Sequence, residues 1–131
     1  MERILGMLRA TGADQDPVLR QQLARVYTDL RTSRFSRMRA EQTMKAGGRP
    51  GPEVSLGKLD LIQAFQSLAD FVTAVLGPEL AADDRQWGTF AWSQMILGLP
   101  GIRLGGGTDE IQRNVIGERV LGLPKEPSAH S

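Results

Sequence analysis

The feature that most constrains the fold is a pair of long segments whose apolar residues recur at three- and four-residue steps, the spacing of one helix face. The first segment spans residues 17–45 and the second spans residues 53–76. Between them, residues 47–52 include three glycines and two prolines, which end a helix. We therefore expect two long helices that bury their apolar faces in a bundle. The apolar positions are Leu19, Leu23, Val26, Tyr27, Leu30 and, less regularly, Phe35 and Met38 in the first segment, and Leu56, Leu59, Ile62, Phe65, Leu68, Ala69, Val72 and Leu76 in the second.

Boundary signals define the remaining helices. Asp16 can accept hydrogen bonds from the free N–H groups of a first turn, and Pro17 suits the first helical position. A short helix is expected over residues 1–9 and a break over 11–15. A third helix is expected over about 84–97, then a loop over 99–107, and a last helix over 108–121 with Thr108 as its N-cap. The residues expected in the core of the third helix are Trp87, Phe90, Ala91 and Met95.

These elements contain no convincing strand and no internal repeat. The predicted fold class is therefore all-α, a four-helix up-and-down bundle over residues 16–124. A short helix and break (1–15) would precede the bundle, and a flexible tail (125–131) would follow it.

Composition excludes several classes of site. The chain of 131 residues has no cysteine, which rules out disulfides, zinc-thiolate sites and cysteine nucleophiles. Its one histidine, His130, lies in the expected tail and builds neither a triad nor a metal site. A net charge of +1 gives no general attraction to nucleic acid or to a membrane. No apolar run approaches a bilayer span, and Gly6 and Arg9 interrupt any signal core, so a cytoplasmic location is expected.

The first long helix is strongly basic. Between residues 17 and 46 it has seven basic residues against two acidic ones. One interpretation is a phosphate or nucleic-acid surface. The other, which the spread of arginines around the helix favours, is a solvated face or pairs with acids of neighbouring helices. The charged positions are Arg20, Arg25, Arg31, Arg34, Arg37, Arg39 and Lys45, with Asp29 and Glu41.

Three consecutive glycines, 105–107, open directly onto the last helix. A helix N-terminus can hold an anion, but no lysine follows the glycines and no strand precedes them, so the phosphate-loop and dinucleotide patterns are absent. Asp109 and Glu110 in the first turn would repel a phosphate. The residues by themselves favour a hinge with a capped helix. Neither Asp109–Glu110 nor the adjacent pair Asp83–Asp84 is a natural catalytic dyad, because neighbouring helical residues point in different directions.

The segment from Gly106 to Pro124, GGTDEIQRNVIGERVLGLP, resembles without interruption the C-terminal signature of acyl-CoA dehydrogenases. It is most similar to the actinobacterial type that degrades lipid or sterol side chains. Residues 16–53 resemble, less specifically, the preceding helices of that type. The resemblance implies a C-terminal helical bundle. In the family this bundle packs against an N-terminal helical domain and a middle β domain, which together hold FAD and the acyl-CoA substrate.

The resemblance also implies site residues. The loop before the last helix often reads Glu-Gly-Thr in the family, where the glutamate removes the α-proton of the thioester. The matching position here is Gly106, which has no side chain, so no catalytic residue is predicted. Some members place the glutamate on an earlier helix, where Glu2 is the one nearby candidate. Family positions near the adenosine side of FAD match Thr108 and Glu110, and the charge of Glu110 departs from what suits a pyrophosphate.

Two functional interpretations follow. The first is the C-terminal domain of a FAD-dependent acyl-CoA dehydrogenase, inactive and weak in FAD binding as this chain alone. The second is a non-catalytic helical oligomerisation module, or a subunit of a heteromeric dehydrogenase. Flavin contacts in the family can come from a neighbouring subunit, so both imply a homo- or hetero-oligomer. The expected partners include neither nucleic acid nor a membrane, and the chain is expected to be a fragment or a separate subunit.

Overall fold

A computed structural model of the chain describes residues 1–49, 51–81 and 89–125. These residues form helices, two short 3₁₀ turns and no strand, so the all-α prediction is confirmed. The bounds of the two long helices are those expected from the sequence. The up-and-down arrangement of four helices stays a prediction, since five α-helices lie in the described ranges. The helices are α1 (Glu2–Thr11), α2 (Pro17–Lys45), α3 (Glu53–Leu76), α4 (Thr89–Leu104) and α5 (Asp109–Arg119), and the 3₁₀ turns are Ala13–Gln15 and Gly77–Ala81.

The expected caps and breaks form where local chemistry placed them. The side chain of Asp16 accepts hydrogen bonds from the N–H groups of Val18 (2.7 Å) and Leu19 (3.3 Å), which fixes the start of α2. Gly12 ends α1 in the left-handed conformation, with φ of 70°, which glycine adopts without a Cβ penalty. These contacts involve only near neighbours in the chain, which is why the sequence predicts them.

Helix α3 is the centre of the fold, since it packs along α2 and contacts α4 and α5 as well. Two of its residues, Phe71 and Val72, are essentially inaccessible to solvent. Burying such side chains stabilises the fold by about 1.5–3 kcal/mol each. Helix α1 contributes to the same core, and Trp92, Met95 and Ile96 of α4 are half-buried against it. The buried members of the core are Ile4, Met7, Leu8, Val26, Leu68, Phe71, Val72 and Leu76.

The apolar composition of α3 bears on the expectation that no segment could span a membrane. Residues Glu53–Ala81 form a helical segment that is long and apolar enough to cross a bilayer by length and composition, contrary to that expectation. The core helix of a bundle passes the same test, because it buries its apolar face against neighbours. The contacts of α3 with α2, α4 and α5 give its apolar residues that role here.

The third predicted helix was placed wrongly. Helix α4 extends to Leu104, so most of the loop expected over 99–107 is helical, with Pro100 inside the helix. An interior proline removes one hydrogen bond and costs about 3 kcal/mol. The burial of Leu99, which is 7% exposed, and the contacts made by Arg103 offset that cost.

Burial along several apolar stripes also departs from expectation. Phe90 was expected in the core and is 60% exposed, and Ala91 is exposed too. Met95 is half-buried against the core, as expected. Trp87 and the start of this predicted helix, residues 84–88, lie outside the described residues. Elsewhere the stripe positions Tyr27, Phe35, Met38 and Leu56 are exposed.

Candidate functional site

The glycine loop, residues Gly105–Gly107, joins the end of α4 to the start of α5. Gly106 and Gly107 have φ values of 70° and 97°, in the left-handed region that side chains rarely adopt. A Cβ at Gly107 would lie 2.8 Å from the side-chain nitrogen Nε2 of Gln112. A Cβ at Gly106 would meet no atom within 4 Å, so glycine is favoured there only by the positive φ of the backbone. Only a chain rich in glycine can make this turn.

Every carbonyl of the glycine loop accepts a hydrogen bond from a side chain. The ammonium group of Lys58, which comes from α3, donates to the carbonyl oxygens of Gly105 (2.6 Å) and Gly107. The side-chain amide of Gln112 donates to the carbonyl of Gly106 at 2.8 Å. The loop is therefore tied to α3 on one side and to α5 on the other.

Lys58 was not singled out by the sequence analysis. It also donates to the carbonyl of Arg103 at 3.4 Å, so its three N–H groups meet three carbonyl oxygens. One sequence signal could have found it, since Lys58 is the single basic residue within α3. The partners could not be read from the sequence, because they lie 45 to 49 residues further along the chain.

An ion pair between a half-exposed arginine and a buried aspartate joins α4 to α5 across the loop. The guanidinium of Arg103 donates through Nε (2.9 Å) and Nη2 (2.6 Å) to Oδ2 of Asp109. The Asp109 side chain is 5% exposed and that of Arg103 is 50% exposed. The other carboxylate oxygen, Oδ1, is buried and has no partner among the described residues. Asp109 therefore lies in the first turn of α5, as the sequence predicts, and also fixes α5 against α4.

Thr108 and Glu110, the residues expected to contact a cofactor, flank Asp109 at the start of α5. The Thr108 hydroxyl oxygen accepts from the N–H of Ile111 at 3.4 Å, which confirms Thr108 as the N-cap. Hydrogen bonds from its own backbone N–H and from the Thr108 hydroxyl lower the pKa of Glu110. Both residues line an open groove of about 370 Å³, together with Gln66 of α3 and Leu99 of α4.

Three of the seven basic residues of α2 contact partners within their own helix. Arg31 lies over the ring of Phe35 at 5.0 Å and near that of Tyr27 at 6.0 Å, in the geometry of a cation–π contact. Exposed pairs four residues apart contribute only about 0.3–0.5 kcal/mol each. These contacts favour the solvated-face interpretation, with partners in α2 itself instead of in neighbouring helices. The ion pairs are Arg25 with Asp29 (4.0 Å) and Arg37 with Glu41 (3.4 Å).

In the part of the chain that the structure describes, no group of three or more histidine, cysteine or acidic residues has the arrangement of a metal site. His130 and the acid pair Asp83–Asp84 lie outside that part.

The all-helical fold and the glycine loop before α5 agree with a C-terminal domain of the acyl-CoA dehydrogenase type. The family's C-terminal domain model matches residues 7–121, and the chain belongs to this family. The signature that carries the resemblance in the sequence spans residues 106–124, and its part up to residue 121 lies inside the matched range and includes Gly106, Gly107 and all of α5.

Two curated relatives are both named acyl-CoA dehydrogenase IpdE1. The protein of Mycobacterium tuberculosis is 33% identical over 127 residues, which cover 96% of this chain and 32% of the relative. That of Mycolicibacterium smegmatis is 32% identical over 127 residues, covering 94% of this chain and 30% of the relative. The chain thus spans about a third of the length of these relatives, and their source supports the actinobacterial type. No solved structure is significantly similar to the chain.

Proposed function

We propose that this chain supplies the C-terminal helical domain of a flavin-dependent dehydrogenase that introduces an α,β double bond into an acyl-CoA thioester. The observation that carries the proposal is the family match over residues 7–121, which includes the glycine loop and α5. FAD, when bound, would accept the hydride in that reaction. The domain's contribution is to place the start of α5 beside the cofactor, in an assembly of two or more subunits acting in lipid metabolism.

The start of α5 fits one part of FAD better than another. Glu110 is exposed, and its pKa lies below the ordinary value of 4.5, so its carboxylate is ionised at neutral pH, as that of an ordinary glutamate is, and accepts hydrogen bonds. A carboxylate about 4 Å from a phosphate charge costs about 4 kcal/mol near a protein surface, which disfavours the pyrophosphate here. Hydroxyl and amino groups of the adenosine moiety donate hydrogen bonds and suit this acceptor. We therefore propose that Thr108 and Glu110 contact the adenosine side of the cofactor.

The loop does not supply a base for the α-proton in this proposal. Gly106 occupies the family's glutamate position and has no side chain. Asp109 is buried and bonded to Arg103, and hydrogen bonding that lowers the pKa of Glu110 makes its carboxylate a weaker proton acceptor. We propose that the base lies elsewhere in the complete assembly and that this chain alone does not dehydrogenate acyl-CoA.

A chimera tests the proposal. The matched third of the mycobacterial relative would be replaced by this chain, and bound FAD would be measured by visible absorbance after gel filtration. We expect the chimera to retain FAD and Thr108→Val with Glu110→Gln to weaken it roughly tenfold, since hydrogen bonds to charged groups contribute about 1.5–3 kcal/mol. Thr43→Val, on exposed α2, is the matched control.

Two results would contradict the proposal. One is dehydrogenation of any acyl-CoA by the 131-residue chain alone. The other is a chimera that holds FAD equally well with and without the Thr108 and Glu110 side chains.

A non-catalytic assembly module remains the second candidate, and one surface favours it. Phe90, Leu97 and Leu104 of α4 are spaced seven residues apart, so they share one helix face, and they are 60%, 80% and 67% exposed. Large exposed apolar patches mark interaction surfaces. Light scattering after size-exclusion chromatography should show an oligomer that Leu97→Lys weakens. A strict monomer at high concentration, with no affinity for a dehydrogenase subunit, would argue against this candidate.

A further inference from the structure

Lys58 makes contacts that an ordinary surface lysine does not. Its ammonium group reaches from α3 to the carbonyls of Arg103, Gly105 and Gly107, and it forms no ion pair within the described residues. Its side chain is half-buried. An ammonium has three donors and no acceptor, so three converging carbonyl oxygens satisfy it completely. Its charge therefore interacts with backbone carbonyls at the end of α4 and in the glycine loop.

These carbonyls are ones that the local backbone leaves without partners. The last carbonyls of a helix have no intrahelical donor and carry the negative end of the helix dipole, and Arg103 lies in the final turn of α4. A cation there is favourable, and hydrogen bonds to a charged group are stronger than those between neutral groups. Lys58 thus caps α4 and holds the glycine loop with one group.

The contacts also set the direction of the loop's peptide groups. A trans peptide is planar, so its N–H points away from its C=O. By holding the carbonyls of Gly105 and Gly107, Lys58 directs the N–H groups of Gly106 and Thr108 away from α3. The Gln112 side chain, from α5, likewise fixes the direction of the peptide group between Gly106 and Gly107. Without Lys58, two of the three loop peptides lose their only side-chain donor among the described residues.

We propose that Lys58 is the positioning residue of this site: it acts through the glycine loop to fix the start of α5, and with it the orientation of Thr108 and Glu110. This role rests on the proposed function, since those two residues are the proposed cofactor contacts. Lys58 reaches them through the backbone, because its ammonium holds the carbonyl of the peptide bond between Gly107 and Thr108. A single point cation suits the three converging carbonyls better than the planar fork of an arginine.

The absence of cysteine from the chain allows a rescue experiment. In Lys58→Cys the thiol is unique, so 2-bromoethylamine converts it to an aminoethyl thioether that restores the ammonium at nearly the original length. Iodoethane gives the same side chain without the nitrogen. The loop would be followed by ¹⁵N relaxation of Gly105, Gly106 and Gly107 in the 131-residue chain without FAD. Lys125→Cys, on an exposed position outside the helices, receives the same treatments as a control.

We expect backbone amide order parameters of about 0.8 for the loop in the wild type and the aminoethylated protein. In the ethylated protein they should fall below about 0.6. Amides of the core helix α3 should stay rigid in all of them, which separates a local from a global effect. Equal order in the ethylated and aminoethylated proteins would overturn the role of Lys58. So would a loop that is already mobile in the wild type.

A second measurement needs no variant. Couplings across the hydrogen bonds from the Lys58 ¹⁵Nζ to the carbonyl carbons of Gly105 and Gly107 should be detectable in the wild type, and their absence would contradict the geometry. Neither experiment uses FAD. If the loop of the 131-residue chain depends on Lys58 but the chimera does not bind FAD, the proposed function is refuted and the role of Lys58 in holding the glycine loop stands.

Discussion

The ion pair between Arg103 and Asp109 predicts an asymmetric response to mutation. Arg103→Met leaves a carboxylate that is 5% exposed with neither oxygen paired. Removing one partner of a buried pair costs about 3–5 kcal/mol, because the other charge stays buried without compensation. We expect Arg103→Met to destabilise the chain by an amount at the lower end of this range, since water can approach from the half-exposed arginine side.

Asp109→Asn should cost much less, although it breaks the same pair. The remaining guanidinium is 50% exposed and can be solvated. The substitution loses charged hydrogen bonds of about 1.5–3 kcal/mol and a helix-dipole contribution of about 0.3–1 kcal/mol. It also removes the negative charge from a buried group whose Oδ1 has no partner, which reduces a desolvation cost of about 1–3 kcal/mol, because a neutral amide is less costly to bury than a carboxylate. The net effect is about 1 kcal/mol, roughly 2 kcal/mol smaller than that of Arg103→Met.

Urea denaturation at neutral pH, followed by circular dichroism, measures both substitutions and the double variant. The double variant should resemble Asp109→Asn alone, so the coupling energy in the double-mutant cycle should equal the full cost of Arg103→Met, about 3 kcal/mol. Arg20→Met on the exposed face of α2 is the control for losing an arginine. If Asp109→Asn were as destabilising as Arg103→Met, or if the coupling were below about 0.5 kcal/mol, the assignment of the desolvation cost to Asp109 would be wrong.

Three further predictions concern the charge, the core and the backbone. Because the pKa of Glu110 is lowered in the fold, its stabilising contribution is present above the ordinary pKa of 4.5 and is lost as the pH falls through the lowered pKa. Glu110→Gln should therefore flatten the acid side of a curve of unfolding free energy against pH. An unchanged curve would contradict this. Phe71→Ala should cost about 3–5 kcal/mol in urea denaturation, because that side chain is 1% exposed, whereas Phe90→Ala, at a 60% exposed position, should cost less than about 1 kcal/mol. Gly107→Ala should destabilise the chain by about 1–3 kcal/mol, because φ is 97° and the new Cβ meets the side-chain amide of Gln112. Gly98→Ala, in open space on α4, should stabilise the chain by about 0.5–1 kcal/mol. Thermal melts that shift in the same direction for both substitutions would be inconsistent with these conformations.

The candidate site was predictable only in part. The family signature located the glycine loop and α5, and Thr108 was recognised as a cap because its partner, Ile111, lies three residues away. The groups that hold the loop were missed. Lys58 was overlooked because a lysine near the start of an apolar helix gives no sign of which carbonyls it will meet. The role of Arg103 was missed for a related reason, because residues 99–107 were taken as a loop instead of the end of α4.

The sequence alone determined the features that depend on neighbours a few residues apart. It gave the bounds of α2 and α3, because their apolar periodicity and the glycine–proline segment 47–52 act locally. It also gave the cap at Asp16, whose hydrogen bonds reach only Val18 and Leu19.

The tertiary structure decided what depends on long-range packing. It carried α4 through Pro100, since burial of Leu99 and the pair of Arg103 with Asp109 outweigh a local breaking signal. It left Phe90 exposed, although its spacing suited a core position. It also placed the ammonium of Lys58 where it donates hydrogen bonds to three carbonyl oxygens. Such choices are set by free energy summed over distant contacts, and those contacts exist only once the helices are in place.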